Sequence, residues 1–223
     1  MQPLPHKPRG EIRIPTLLSL AALIAVLYVA FEARSPAPLP ETGPGTRWLE
    51  EPRSLQPFSL VRHDETPFTS ASLKGHWTLL VFGQSHCQAI CPTTLGTLNQ
   101  VLQAILRGGE RAPEVVFASL DPEQDTPRQL TLFLAYFNPA FVGVSGKTAE
   151  IEAFARQFGI EPGRSEAAHS AGIQLIDPQG RLTAVFLPPF DAALIARDFL
   201  RLSHYLGRGR QAPPARPESP SLP

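Results

Sequence analysis

Residues 77–92 read WTLLVFGQSHCQAICP, and this stretch decides the fold. It opens on an apolar run, WTLLVF, of the length expected for a buried strand. Leucine and isoleucine then recur at helical spacing between Leu95 and Ile105, so the pattern predicts a strand that leads directly into a helix. Both cysteines of the chain, Cys87 and Cys91, lie at this junction.

The same alternation of strand and helix continues towards the carboxyl terminus. The predicted strands lie at 115–120, 142–144, 173–176 and 182–187, and the predicted helices at 126–137, 151–158 and 191–202. The sequence Asp177-Pro178-Gln179-Gly180 separates the last two strands and is typical of a tight turn. The order therefore predicts an α/β fold whose sheet ends in an antiparallel hairpin.

An uncharged apolar run occupies residues 14–31. As a helix with a rise of about 1.5 Å per residue, its 18 residues would extend roughly 27 Å, close to the hydrocarbon thickness of a bilayer. Lys7, Arg9 and Arg13 precede the run, so residues 1–13 are expected to stay in the cytoplasm. We therefore predict an uncleaved transmembrane anchor. A cleaved signal peptide is the alternative, although the small residues that a cleavage site requires are badly placed.

Proline separates the flanks of the chain from its middle. Of the 25 prolines, 15 lie in the first 57 and the last 17 residues. Residues 32–57 are therefore predicted to be a proline-rich tether, and residues 207–223 a disordered tail. Residues 58–206, between them, have the size of a single domain. The 20 basic and 20 acidic side chains balance, which argues against nucleic-acid binding.

The spacing of Cys87 and Cys91 brings their sulfur atoms to one side of the turn that enters the helix. Backbone N–H groups at a helix amino terminus stabilise a thiolate, so the cysteine pKa is expected to fall from about 8.5 to between about 3.5 and 7.5. Such a pair can act as a redox couple or as a site for a soft metal ion. An inert disulfide is the alternative, although a bridge over so short a loop adds little stability.

A metal ion at this pair would need at least one more ligand. Two thiolates do not complete a tetrahedral zinc site, whereas copper(I) favours thiolate and accepts three ligands, so a histidine is the expected third one. Four histidines are expected to be solvated: His6, His63, His76 and His204. His86 adjoins Cys87, and neighbouring residues seldom face the same ion, which leaves His169 at the entry to the hairpin. By its spacing alone, His169 could equally belong to a surface loop.

Three blocks of the sequence together resemble the Sco/SenC family of membrane-anchored, thioredoxin-like copper chaperones. They read WTLLVFG with SHC and CPTTL at 77–95, SLDPEQDTP at 119–127, and HSA with LIDPQGRL at 169–182. The blocks follow the order of the family behind an anchor, and the resemblance covers about residues 57–200. It implies a thioredoxin-like fold with insertions in residues 58–206.

The resemblance also implies a function. Copper, as Cu(I) or Cu(II), would be bound by Cys87, Cys91 and His169 and loaded into the binuclear centre of the copper-bearing subunit of cytochrome c oxidase. A copper donor protein would supply the ion. With residues 14–31 in the inner membrane, the domain would be periplasmic. Family members often carry an acidic residue directly before the ligand histidine, where this chain has Ala168.

An enzyme is the alternative from a different class. An extracytoplasmic thiol-disulfide reductase acting on the cysteines of a copper site would use Cys87 as the attacking thiol and Cys91 as its partner, although reductases more usually carry Cys-x-x-Cys. A peroxidase with a reactive cysteine is a weaker alternative. Asp121 and Asp125 follow the second strand and could orient a ligand, but a helix cap is the simpler interpretation of Asp125.

Overall fold

The computed structural model describes residues 22–28, 41–87, 90–161 and 172–207. The chain divides into two units, Met1–Leu39 and Pro40–Pro223. In the first unit, residues 22–28 form helix α1, whose apolar side chains are exposed. No helix within the described ranges combines the length and the apolarity needed to cross a membrane. The rest of the predicted anchor, residues 1–13 and the predicted tail beyond residue 207 lie outside the described residues.

The second unit is a mixed β-sheet with helices on both faces. Its elements, in chain order, are β1 (Thr46–Ser54), β2 (Ser59–Arg62), β3 (Pro67–Thr69), a 3-10 helix (Ser70–Leu73), β4 (Thr78–Gly83), α2 (Ile90–Arg107), β5 (Glu114–Ser119), α3 (Pro127–Ala135), β6 (Val142–Ser145), α4 (Thr148–Arg156), β7 (Ile173–Ile176), β8 (Arg181–Phe186) and α5 (Ala192–Gly207). The strands predicted at 77–187 and the helices between and after them are confirmed.

The strands form one sheet in the order β1-β8-β7-β4-β5-β6-β2-β3. The pairs β4–β5 and β5–β6 are parallel, because helices α2 and α3 cross over between them, and the other pairs are antiparallel. The β4–β5 register pairs Thr78 with Glu114 and Gly83 with Ser119. The carboxyl ends of β4 and β5 therefore lie side by side, and the loops that follow them meet at one edge of the sheet.

The core occupies both faces of the sheet. On one face, Leu79 and Val81 of β4 pack in a buried cluster with residues of α2, α3 and α5. On the other face, Leu80 and Phe82 pack with residues of β2, β3 and α4. Successive side chains of a strand point to opposite faces, so a strand buried on both faces reads as a continuous apolar run. This explains why the sequence of β4 is uniformly apolar.

The start of the domain differs from its prediction. Residues 46–54 of the predicted tether form β1, which pairs with β8 at the edge of the sheet. The tether prediction is corrected to that extent, and the ordered domain begins well before residue 58. Only one side of this strand is partly covered, so its sequence lacks an apolar run, and its pairing shifts between Trp48 and Arg53, around Pro52. An edge strand tolerates a proline, which a central strand does not.

Candidate metal centre

Gly83 ends β4 and makes room for a sulfur atom. A Cβ atom at this position would lie 2.6 Å from Sγ of Cys91 and 2.9 Å from the ring of Phe117. A glycine is therefore required for the first turn of α2 to approach the end of the strand this closely. As a result the Cys91 side chain is buried, with 4 % of its surface exposed.

Cys87 reaches the same position through a tight turn. Its N–H donates to the carbonyl oxygen of Gln84 at 3.2 Å, with Ser85 and His86 in the turn. Its side chain is half-buried, neither cysteine is in a disulfide, and the two thiols share a hydrogen bond. The sulfur atoms of Cys87 and Cys91 are therefore in contact, as their spacing predicts, with Cys87 the more exposed of the two. Residues 88 and 89, between them, lie outside the described residues.

The environment of Cys91 favours the thiol over the thiolate. Burial raises the pKa of Cys91 to about 12. An N–H of Gln84 opposes this rise, whereas the Cys87 thiol and the charge of Asp125 add to it. The expectation of a lowered pKa is therefore wrong for Cys91. Its sulfur faces the core beside Gly83 instead of the open amino end of α2, so desolvation outweighs the helix N–H groups.

Asp125 is a buried carboxylate beside the turn. Its side chain has no exposed surface and accepts hydrogen bonds from the N–H of Ser85 at 3.0 Å, from the Ser85 hydroxyl, and from the Ser119 hydroxyl at 2.5 Å. The interpretation of Asp125 as a helix cap is wrong. The cap of α3 is Thr126, whose hydroxyl accepts the N–H of Gln129 at 3.3 Å. Asp125 instead joins the cysteine turn to the end of β5.

A second, weaker contact joins the same two loops. Nε2 of His86 lies 3.7 Å from Oδ2 of Asp121, and the His86 side chain is about half exposed. Asp121 is held in turn by Ser119, whose hydroxyl accepts the Asp121 N–H at 3.1 Å. His86 therefore faces a carboxylate of the neighbouring loop.

Three of the four histidines expected to be solvated have partners within the domain. Nδ1 of His63 accepts the N–H of Gly143 at 2.9 Å. The other two pair with glutamates: His76 Nε2 lies 3.3 Å from Glu114, and His204 Nε2 lies 3.0 Å from Glu110. These contacts are structural and lie outside the cysteine turn. His6 lies outside the described residues.

His169, the predicted third ligand, lies in residues 162–171, outside the described residues. Within the described part of the chain, no group of three or more histidine, cysteine, aspartate or glutamate side chains could hold a metal ion. The described chain resumes at Gly172, which lines a narrow cleft together with Ile90, Cys91 and Phe190. The entry to the hairpin therefore borders the cysteine pair.

Known proteins share this arrangement of elements. Residues 48–204 match the model of the family described as SCO1/SenC. Protein sco1 of Schizosaccharomyces pombe is 28 % identical over 216 residues, which cover 91 % of this chain and 81 % of that protein.

Two solved structures, both with copper bound, have a similar fold. The crystal structure of Arabidopsis thaliana ScoI superposes with a TM-score of 0.61 at 28 % identity, over 67 % of this chain and 97 % of the other. The structure of Bradyrhizobium japonicum ScoI superposes with a TM-score of 0.56 at 32 % identity, over 69 % and 99 %. The predicted thioredoxin-like α/β fold is thus confirmed for the domain.

Proposed function

The chain belongs to the SCO1/SenC family, and from that premise we propose that it is a copper chaperone that binds one copper ion through Cys87, Cys91 and His169. The observation that carries the proposal is the contact between the two thiols at the carboxyl edge of the sheet. Thiolate is the ligand type that copper(I) prefers, and open α/β sheets bind ligands at this edge. Relatives of known structure hold copper.

The exposure of the two sulfur atoms suits an ion that must enter and leave. Cys87 is half-buried and offers access, whereas Cys91 is buried against Gly83 and fixes the inner side of the site. Because the raised pKa keeps Cys91 protonated without metal, copper binding must release its proton. Copper affinity is therefore expected to rise with pH.

The length of the chain supports His169 as the third ligand. Gly172 lines the cleft beside Cys91, and His169 is three residues away. A fully extended chain spans at most about 3.6 Å per residue, so the Cα atom of His169 lies within about 11 Å of that of Gly172. An imidazole so close in sequence to the cleft is the ligand we propose, and its neutral nitrogen would complete a three-ligand site.

The location and partners of the chaperone belong to the same proposal. Residues 14–31 would anchor the chain in the inner membrane, with residues 1–13 in the cytoplasm and the domain in the periplasm. The recipient would be the copper-bearing subunit of cytochrome c oxidase, and a donor protein would supply the ion. The apolar run, the basic residues before it and membership of the family support this assignment.

Copper(I) titration of the full chain tests the ligand set. The reduced chain is purified in mild detergent and competed anaerobically with a chromophoric chelator, as wild type and as Cys87→Ser, Cys91→Ser and His169→Ala. We expect one copper per chain and, for each variant, a loss of affinity of more than about 100-fold, because outer-shell changes alone cost about 10- to 100-fold. The control is His204→Ala, which removes a histidine paired with Glu110 and should bind like wild type.

The copper titration also distinguishes the chaperone from the alternative functions. If His169→Ala binds as tightly as wild type, the three-ligand site is wrong. If the wild-type chain binds no copper, the chaperone function is wrong and a thiol-disulfide reductase becomes the leading interpretation of the cysteine pair. A reductase would tolerate His169→Ala and would lose activity with Cys87→Ser.

A further inference from the structure

The turn that carries Cys87 is held from outside by a residue that is not a proposed ligand. Asp125 accepts both the N–H and the hydroxyl of Ser85, two positions before Cys87 in the chain. Its third donor is the hydroxyl of Ser119, at the end of β5. Forty residues separate Ser85 from Asp125, so the contact joins two independent loops.

Other contacts also hold the turn, among them the N–H of Gln84 on the Cys91 sulfur. Its internal hydrogen bond, from Cys87 N–H to Gln84 oxygen, is 3.2 Å long, and the His86–Asp121 contact is 3.7 Å long and half exposed. Hydrogen bonds to an ionised carboxylate are shorter and roughly twice as strong as neutral ones. Asp125 therefore provides the strongest of these attachments, in a place that water does not reach.

We propose that Asp125 is a positioning residue, which holds Ser85 so that the thiol of Cys87 stays in contact with the thiol of Cys91. The consequence for copper rests on the proposed function, because a preformed sulfur pair loses less conformational entropy when an ion binds. The positioning itself concerns the metal-free chain and is testable without copper.

Disulfide formation measures how well the two thiols are positioned. Oxidised glutathione takes two electrons from the pair: its S–S bond breaks, the Cys87–Cys91 bond forms, and the two thiol protons pass to two glutathione thiols. A disulfide restrains the turn by itself, so loss of the Asp125 contact frees the turn mainly in the dithiol form. The equilibrium constant for closing the disulfide should then fall.

The experiment equilibrates the full, copper-free chain with mixtures of reduced and oxidised glutathione. Asp125→Ala is expected to lower the constant about tenfold, equivalent to a reduction potential about 30 mV less negative. Asp125→Asn keeps an acceptor oxygen but loses the charge, so it should lower the constant by less than Asp125→Ala does. Asp198→Asn is the matched control, because it alters another fully buried carboxylate, located on α5, and should leave the constant unchanged.

Three results would overturn the inference. A folded Asp125→Ala chain with the wild-type constant would show that the contact does not position the turn. An equal shift in Asp125→Asn would assign the effect to charge, and an equal shift in Asp198→Asn would assign it to general loss of stability. If circular dichroism shows that Asp125→Ala is unfolded, Ser85→Ala decides: about a threefold decrease supports the inference and an unchanged constant overturns it.

A copper(I) titration of the same variant separates this inference from the proposed function. With copper(I), Asp125→Ala should bind about tenfold more weakly than wild type. If wild type binds no copper, the proposed function is wrong, and the glutathione result still decides the role of Asp125.

Discussion

Asp125 and Asp198 are both fully buried, and each joins segments that lie far apart in the chain. Asp198, on α5, accepts the N–H of Gly43 and the hydroxyl of Thr46, each at 2.7 Å. It also pairs with Arg197 at 2.9 Å. Asp125 accepts three hydrogen bonds as well, but among the described residues it forms an ion pair with no lysine, arginine or histidine.

The difference lies in how each charge is compensated. Burial acts to raise the pKa of Asp198, yet Gly43, Thr46 and Arg197 together outweigh it and lower that pKa below its usual range. The charge of Asp198 is therefore neutralised by its partners, and its carboxylate attaches the first strand to α5. The charge of Asp125 instead acts on the cysteine pair, where it adds to the raised pKa of Cys91. The same residue type is thus a structural attachment in one place and part of a reactive environment in the other.

The largest expected effect on stability is that of Asp198→Ala. It leaves the N–H of Gly43 and the hydroxyl of Thr46 without their acceptor, and an unsatisfied buried donor costs about 1–3 kcal/mol. Because the Arg197 side chain is exposed, its ion pair adds at most about 1 kcal/mol, and we expect a total loss of about 3 kcal/mol in urea unfolding of the full chain. Asp191→Ala, which removes an exposed helix cap on α5, should cost only about 1 kcal/mol. Equal losses in the two variants would contradict the structural role of Asp198.

The second prediction compares Gly83, which lies beside Cys91, with Gly43, which donates its N–H to Asp198. Gly83→Ala would press a methyl group against Cys91 Sγ at 2.6 Å and the Phe117 ring at 2.9 Å, both buried. We expect a loss of about 1–3 kcal/mol in urea unfolding, as for other overpacked cores. Gly43→Ala meets a guanidinium nitrogen of Arg197 at 2.5 Å, but this is the end of a flexible, partly exposed side chain.

The Arg197 side chain can move aside and Asp198 Oδ2, at 3.3 Å, must shift only slightly, so Gly43→Ala should cost about 1 kcal/mol or less. Gly83→Ala should also weaken copper(I) binding, because it displaces one of the proposed ligands, whereas Gly43→Ala should not. A Gly43→Ala chain as unstable as Gly83→Ala would contradict this comparison.

The central strands could be predicted because a strand that is buried on both faces of the sheet has a continuous apolar sequence. The apolar runs of β4 and β5 and the helical spacing of α2 are of this kind. The apolar pattern of β1, β2 and β3 is weaker, because each of these strands is short or lies towards an edge of the sheet. In β2 and β3 together, only Leu60 and Phe68 are buried. Their place in the sheet depends on backbone pairing, which the side-chain pattern does not encode.

The candidate site likewise has one part that could be predicted from the sequence and one part that could not. The pairing of Cys87 with Cys91 is local and could be predicted from spacing. The contact of Ser85 with Asp125 depends on the β4–β5 register, which aligns Gly83 with Ser119, and that register is not visible in the sequence. Gly83 does indicate part of the site in the sequence, because a glycine between a strand and a cysteine turn often marks a close approach of another segment to the backbone. The raised pKa of Cys91 follows from that approach and could not be predicted without it.

The smallest expected effect is the pH dependence of the stabilisation by Asp198. Its pKa is lowered in the folded chain from an ordinary value of 3.8, so the unfolded chain binds the proton more tightly. The stabilisation is therefore fully present above about pH 4 and is lost as the pH falls through the folded pKa. The stability difference between wild type and Asp198→Asn, measured by urea unfolding, should shrink between about pH 6 and pH 2.5.

Thr46→Val provides the matched variant, because it removes one hydroxyl donor to Asp198 and leaves the carboxylate in place. With one donor fewer, the folded pKa should return towards its ordinary value, so the acid loss of stability should be smaller and should be complete at a higher pH than in wild type. A stability difference between wild type and Asp198→Asn that does not change with pH would mean that the ionised carboxylate does not hold the first strand.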